Sequence, residues 1–290
     1  MSHSFNDLPV EVVDVISKFL CTPSDVLNAT LTNKRFADSV SRICKGDHVV
    51  AFSVPTGFEG VNIDLTYWNN NIHDNPFKNL HDLKYLRIQT YLLSHTLFGY
   101  SMFKHLFESN LPSLVYLNIS NIPTPLAGID LSGFSAASSL KTLIMSDCRV
   151  CDLSGITSLH ALTSLDLSYN RVTDDQVKIH LVNMTRLISL NLSSNYKVTP
   201  VCFENLPRTL TYLNISWCTS AGCKLIDESG FKKLPATITR LVADSCDEMY
   251  IGDLSHMTSL TSLSLFYNDF DISVLFANLP PSLERKFVKM

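Results

Sequence analysis

Aliphatic residues recur along most of this chain in a short, repeated pattern. Each copy has them at its first, fourth and sixth positions, separated mostly by polar residues, and six of the eight copies have Asn or Cys at the ninth position. In the clearest copy these residues are Leu162, Leu165, Leu167 and Asn170. Further copies begin at Leu83, Leu114, Leu140, Leu187, Leu210, Ile238 and Leu260. The shortest interval between starts is 22 residues (140 to 162) and the longest is 31 (83 to 114).

Repeats of this length and composition predict an α/β fold, a leucine-rich-repeat solenoid with a curved parallel sheet and a variable convex side. The fourth and sixth positions of each short strand point inward, and neighbouring repeats must stack to bury them. We therefore assign residues 83–290 to the solenoid. A strand around Ile63 and Leu65 is expected to precede it, and a truncated strand at 283–288 to follow.

Local signals predict the turns and the convex segments. The ninth-position Asn or Cys is expected to bind backbone groups in the bend. Asn121 lies one place early, which predicts an irregular turn in that copy. Short intervals leave room for single-turn segments, whereas Thr173 to Asp175 predicts a helix start with Val177 and Leu181 on one face. A helix is also expected near 102–107. Four of the strands have a proline just before them that is expected to end the preceding convex segment: Pro112, Pro207, Pro235 and Pro280.

The repeat phase also predicts a partner-binding concave face. The third, fifth and seventh positions are expected to be exposed, with the eighth at the rim. Aromatic and polar residues at these positions are candidate anchors for a protein partner. The candidates are Tyr85, Tyr116, Asp166, Tyr169, Asn191, Tyr212, Trp217, Arg240, Phe266 and Tyr267. Alternatively, some of the rings pack on neighbouring strands. Serines recur at the seventh position and predict a crowded inner face.

The first 45 residues do not follow the repeat. Val12, Ile16, Phe19 and Leu20 have helical spacing, and Pro9 suits a first helical position. Ser24 and Thr32 can cap two further short helices. We predict a three-helix unit over 1–45, joined by a linker and capping strand over 46–82 to the solenoid.

This N-terminal unit resembles an F-box, and the whole chain resembles the F-box/leucine-rich-repeat protein family. The matching residues are Leu8, Pro9, Glu11, Ile16, Leu20, Asp25, Val26, Leu31, Lys34, Arg35 and Phe36. The resemblance implies that the unit binds a Skp-family adaptor, and through it a cullin, while the repeats hold a protein substrate. It places the adaptor contact on Leu8, Pro9, Val12, Ile16, Leu20, Val26 and Leu27. F-boxes often end in a Trp, and this chain has none before Trp68.

Two alternatives to a ubiquitin-ligase subunit follow from the same sequence. The helices could simply cap the solenoid core, which repeat arrays need at their ends. The chain would then be a non-enzymatic scaffold or a regulator, for example of a phosphatase or the cytoskeleton. A microbial or viral mimic acting inside a eukaryotic host is a further possibility.

Composition narrows the functional classes. The net charge is −4 and the pI about 6.1, which disfavours a nucleic-acid partner. No apolar run suits a membrane span, and the N-terminus does not read as a secretory signal. Phosphate-binding, zinc-protease and hydrolase motifs are lacking, so we expect no catalytic residues, metal or cofactor. The cysteines are expected to be reduced, which suits a cytoplasmic or nuclear, intracellular protein.

Overall fold

A computed structural model describes residues 60–64, 84–89, 106, 111–121, 134, 137–218, 231–246, 253–268, 279–283 and 288–289. Within these ranges ten strands form one parallel sheet, in chain order from β1 to β10. Their bounds are Gly60–Asp64, Tyr85–Gln89, Tyr116–Asn118, Thr142–Ile144, Ser164–Asp166, Ser189–Asn191, Tyr212–Asn214, Arg240–Val242, Ser262–Ser264 and Val288–Lys289. The predicted leucine-rich-repeat solenoid is confirmed.

The fourth-position leucines set the register of the sheet. Leu117 of β3 aligns with Leu143 of β4, and the same alignment continues through Leu165 and Leu190. Each of these side chains is buried, as are the first- and sixth-position residues of the same repeats. One continuous core therefore runs the length of the array, because each repeat covers the apolar residues of the next.

The outermost strands extend the array beyond the eight sequence repeats. Strand β1 pairs with β2 over its full length, which confirms the strand expected around Ile63. At the other end, Val288 of β10 pairs with Leu263 of β9. A final strand is thus present, but of the predicted range 283–288 only Val288 lies in it.

The convex side consists of short helical segments. Single 3-10 turns span Ser154–Ile156 and Phe231–Lys233, and a longer 3-10 helix spans Pro200–Asn205. The predicted helix after Thr173 is present as Asp174–Gln176, continued by a π-helical turn at Val177–Leu181. Thr173 accepts from the Gln176 amide, as an N-cap residue does. Of the helix predicted near 102–107, only Leu106 is described, and it is buried.

Ninth-position side chains cross-link neighbouring repeats. Asn170 donates to the Met145 carbonyl, at the sixth position of the previous repeat (2.7 Å), and Asn195 donates likewise to Leu167 (2.8 Å). Where Cys replaces Asn, the thiol of Cys218 donates to the Leu192 carbonyl (3.1 Å). We call this series the ninth-position ladder; its members are Cys148, Asn170, Asn195, Cys218, Cys246 and Asn268.

Asn121 corrects one expectation. Its φ is 58°, and the eighth-position residues of the later described repeats have φ between 52° and 59°. Asn121 is therefore a regular eighth-position residue, not a ninth-position Asn displaced by an irregular turn. The residue type misled us because Asn suits both positions of the bend.

Candidate partner-binding face

The concave face begins at the third repeat position. The rings of Tyr85 and Tyr116 lie 6.4 Å apart, and the Arg240 guanidinium lies 5.4 Å from the Tyr212 ring. Both pairs join adjacent strands, as the packing alternative anticipated. Between them the third position holds only small side chains: Thr142, Ser164 and Ser189. The face therefore has a low central stretch bordered by tyrosines.

Fifth-position side chains are engaged with the chain itself. Asp166 accepts from the Ser168 amide (2.8 Å) and hydroxyl (2.6 Å), and its second oxygen accepts from Asn191 (3.1 Å). Asn191 in turn accepts from the Ser193 amide (3.1 Å). These bonds close the bend after each strand, as Asx turns do. The predicted partner-binding role of Asp166 and Asn191 stays a prediction, with their oxygens already serving the fold.

Three of the seventh-position serines do not face solvent as expected. Ser168, Ser193 and Ser216 are buried. Their strands end at the fifth position, so the alternation that would expose the seventh stops before it. In a later repeat the same position holds Phe266, which is exposed as predicted.

The eighth position carries the most exposed aromatic side chains among those predicted. Tyr169, Trp217 and Tyr267 are 60%, 54% and 82% exposed. Each has φ between 55° and 59°, the left-handed region that disfavours a bulky side chain. In the intervening repeats the same position holds Ser194 and Ser245. We call Tyr169, Trp217 and Tyr267 the aromatic row.

Phe266, which was also predicted, lies beside the aromatic row, with its ring 6.3 Å from that of Tyr267.

Other exposed apolar side chains lie outside the predicted set. Tyr196 and Ile188 are exposed but were not predicted. Tyr196 follows the Asn195 turn, and Ile188 precedes strand β6; both therefore lie outside the positions we assigned to the concave face.

Two thiols of the described repeats, those of Cys202 and Cys218, lie buried in the core. Burial raises the pKa of Cys202 well above its ordinary value, and nearby Asp174 raises it further. Burial likewise raises the pKa of Cys218. Both thiols are therefore protonated at neutral pH, which disfavours nucleophilic or ligand roles. Among the described residues, no group of three His, Cys, Asp or Glu side chains could hold a metal ion.

The seven predicted adaptor-binding residues, from Leu8 to Leu27, lie outside the described residues, as does the rest of the 1–45 unit. No helix within the described ranges is long and apolar enough to cross a membrane.

Comparisons with known proteins support the repeat fold. No protein-family model matches the sequence. The CD180 antigen of Mus musculus is 34% identical over 141 residues, which cover 46% of this chain and 20% of that protein. The chain thus aligns with about a fifth of this relative's length.

Three solved structures are similar. Mouse RP105 in the RP105/MD-1 complex has a TM-score of 0.52 at 17% identity, covering 79% of this chain and 41% of that one. TLR13 in a complex with ssRNA13 gives 0.49 at 21% identity (78% and 38% coverage), and internalin C2 of Listeria monocytogenes gives 0.38 at 21% (72% of each). The RP105 match supports the leucine-rich-repeat fold; the two lower scores carry no further conclusion. The chain therefore has the leucine-rich-repeat fold that its ten-stranded parallel sheet shows.

Proposed function

We propose that this chain is a protein-binding repeat module that holds a partner on its concave face. The observation that carries the proposal is the eighth-position aromatic row. Its three large side chains are exposed to solvent. Their backbone is in the left-handed region, which a small residue would adopt at a lower energetic cost. Exposed Tyr and Trp are typical anchors of protein interfaces.

Charge on the described face agrees with a protein partner. Among the described residues of the face, Asp166 and Asp244 accompany Arg87 and Arg240, so the charges are mixed and do not form the basic surface that phosphate backbones require. A face that is uncharged over most of its area and has aromatic anchors suits a folded or extended polypeptide.

The finer proposal is that the module is the substrate-recognition subunit of a Skp/cullin/F-box ubiquitin ligase. It rests on the F-box-like residues between Leu8 and Phe36. In this arrangement the N-terminal unit binds the adaptor and the repeats present the substrate, and the chain itself performs no chemistry.

Binding of the full chain to a purified Skp-family adaptor tests the finer proposal. We expect micromolar or tighter binding, lost in a Leu8→Ala, Pro9→Ala double variant and kept in Lys18→Ala, which alters the polar side of the same predicted helix. If the adaptor does not bind at micromolar concentrations, the N-terminal unit is a cap and the chain is a scaffold or regulator.

Affinity capture tests the concave-face proposal independently. Arg240→Glu reverses a charge on the predicted face, whereas Arg186→Glu makes the same change at an exposed site before strand β6. Partners captured by the parent chain should be lost with Arg240→Glu and retained with Arg186→Glu. Equal loss or equal retention in both would contradict the proposed face.

A further inference from the structure

The aromatic row has a regular spacing along the array. Tyr169, Trp217 and Tyr267 follow strands β5, β7 and β9, and the intervening strands β6 and β8 are followed by Ser194 and Ser245. Neighbouring strands are about 4.8 Å apart, so the backbone positions that carry successive rings of the row are about 9.6 Å apart. The row thus offers two similar gaps, each floored by a serine-bearing turn.

Two of the three backbone amides of the row are already paired. The Tyr169 amide donates to Ser193 (2.8 Å) and the Trp217 amide donates to Asp244 (3.0 Å). In the gaps, the Ser194 and Ser245 amides donate to Ser216 and Phe266 (2.8 Å each). A ligand therefore cannot add itself as another strand through these donors, and must instead bind the rings.

The side chains of the row supply unpaired donors. Within the described part of the chain, no residue accepts a hydrogen bond from the Tyr169 or Tyr267 hydroxyl or the Trp217 indole N–H. A ligand with free carbonyl groups would match them. Polyproline II segments have no internal hydrogen bonds, so all their carbonyls are free.

From the spacing and these donors we propose that the aromatic row binds a proline-rich segment in the polyproline II conformation. Three residues of that helix rise about 9.3 Å, so two turns deviate from the two row intervals by about 0.6 Å. An α-helix presenting every seventh residue repeats at about 10.5 Å and deviates by about 1.8 Å over the same length. Same-face residues of an extended strand recur at about 6.8 Å and miss the row.

This inference deepens the proposed function and rests on it, since it names the kind of partner segment. Aromatic grooves recognise Pro-x-x-Pro segments because the rings pack on the proline rings while a polar donor binds a carbonyl. In this chain, prolines spaced three residues apart would enter the two gaps, one between Tyr169 and Trp217 and one between Trp217 and Tyr267.

Titration of the full chain with a fluorescein-labelled decaproline peptide tests the inference. We expect saturable binding that weakens at least 10-fold in Trp217→Ser and 3-fold or more in Tyr169→Ser and Tyr267→Ser. Tyr196→Ser is the matched control, because Tyr196 is 56% exposed but lies off the row, and it should bind as the parent does. Serine already occupies the eighth position in two repeats, so these variants should fold; a thermal melt checks this.

One variant separates spacing from general aromatic attraction. Ser245→Tyr places a ring in the second gap, at a position where two other repeats already carry Tyr. Decaproline binding should fall at least 5-fold even though the surface gains an aromatic side chain. Stronger binding would overturn the spacing argument.

Control peptides complete the test. A Gly-Ser decamer and an alanine-based helical decamer should bind at least 10-fold more weakly than decaproline. The inference fails if decaproline does not bind at millimolar concentration, if the row variants bind like the parent, or if the helical peptide binds more tightly. Loss of captured partners with Arg240→Glu would still support the concave-face proposal in each of those cases.

Discussion

Single side chains at the ninth repeat position join backbone groups of neighbouring repeats. Asn195 accepts from the Val172 amide (2.9 Å) and donates to the Leu167 and Leu192 carbonyls (2.8 Å each). Cys218 at the same position donates only to Leu192 among the bonds described. An amide side chain both donates and accepts, whereas a thiol is a weak donor, so Asn holds its bend more strongly.

Replacing Asn195 by Ala should lower the free energy of unfolding by about 3 kcal/mol, because it leaves a buried amide and two carbonyls without this partner. Cys218→Ala should lower it by about 1 kcal/mol, since one weak bond and a small volume are lost. Urea denaturation of the parent and both variants measures the difference. Tyr196→Ala, in the exposed residue next to Asn195, should stay within about 0.5 kcal/mol. An equal effect of Asn195→Ala and Cys218→Ala would contradict the assigned bonding.

Residue-scale features explain what could and could not be predicted from the sequence. The buried residues at the first, fourth and sixth positions follow directly from their leucine-rich pattern. Burial of Ser168 and its counterparts could not be predicted from alternation, because the chain leaves the strand before reaching them. The left-handed eighth position also could not be predicted from residue type, since Asp147, Tyr169 and Ser194 share the backbone conformation but differ in size and polarity.

The convex segments pack as elements and also cap one another. The Thr199 amide, at the N-cap of Pro200–Asn205, donates to Asp174 in the preceding segment (2.7 Å). The Leu153 amide donates to Gln176 of the following one (2.8 Å). Phe203 and Phe231 pack edge to face with their centroids 5.5 Å apart. The sequence predicted the helix start at Thr173. It did not predict the hydrogen bonds that cap one convex segment with a side chain of the next, because these join residues 23 to 25 positions apart and no local pattern encodes them.

The segment from Asp174 to Leu181 offers a matched pair of substitutions. Leu181 is fully buried, whereas Ile179 is 62% exposed. Leu181→Ala should lower the free energy of unfolding by about 3 kcal/mol through lost burial and the cavity left behind. Ile179→Ala should change it by less than about 0.5 kcal/mol. Circular-dichroism melts of the two variants report the contrast; similar destabilisation by both would mean that the segment does not pack as described.

At the scale of the whole molecule, one core spans all the described repeats and contains several thiols. Cys148, Cys202, Cys218 and Cys246 are buried, while Cys151 is exposed. Because repeats contact mainly their neighbours, a perturbation in the middle of the array affects the stability on both sides. The sequence around Ile63 predicted the first strand, and the range 283–288 predicted a last strand that includes Val288. The N-terminal unit over 1–45 stays a prediction from the sequence.

The buried thiols predict a loss of stability at alkaline pH. Folding raises the pKa of Cys202 and Cys218 above the ordinary value of 9.0, so the unfolded chain releases these protons first. Their contribution is fully present below pH 9 and declines as the pH rises above it, by up to about 1.4 kcal/mol per pH unit for each thiol.

Urea midpoints at pH 8 and pH 10 measure this decline. The drop between the two should be smaller in Cys218→Ala than in the parent chain, because one of the two thiols has been removed. Cys151→Ala should show the parent's drop, since that side chain is exposed. A drop unchanged in Cys218→Ala would show that other groups dominate the alkaline response.

The ninth-position ladder has a consequence for how such an array changes length over evolution. Each of its cross-repeat bonds joins a side chain of one repeat to a backbone atom of the neighbour, as Asn170 does with Met145 and Cys218 with Leu192. Every repeat supplies the same backbone atoms whatever its own sequence is. A repeat duplicated or deleted as a whole unit therefore meets a complete set of partners at the new junction, and no compensating substitution is needed.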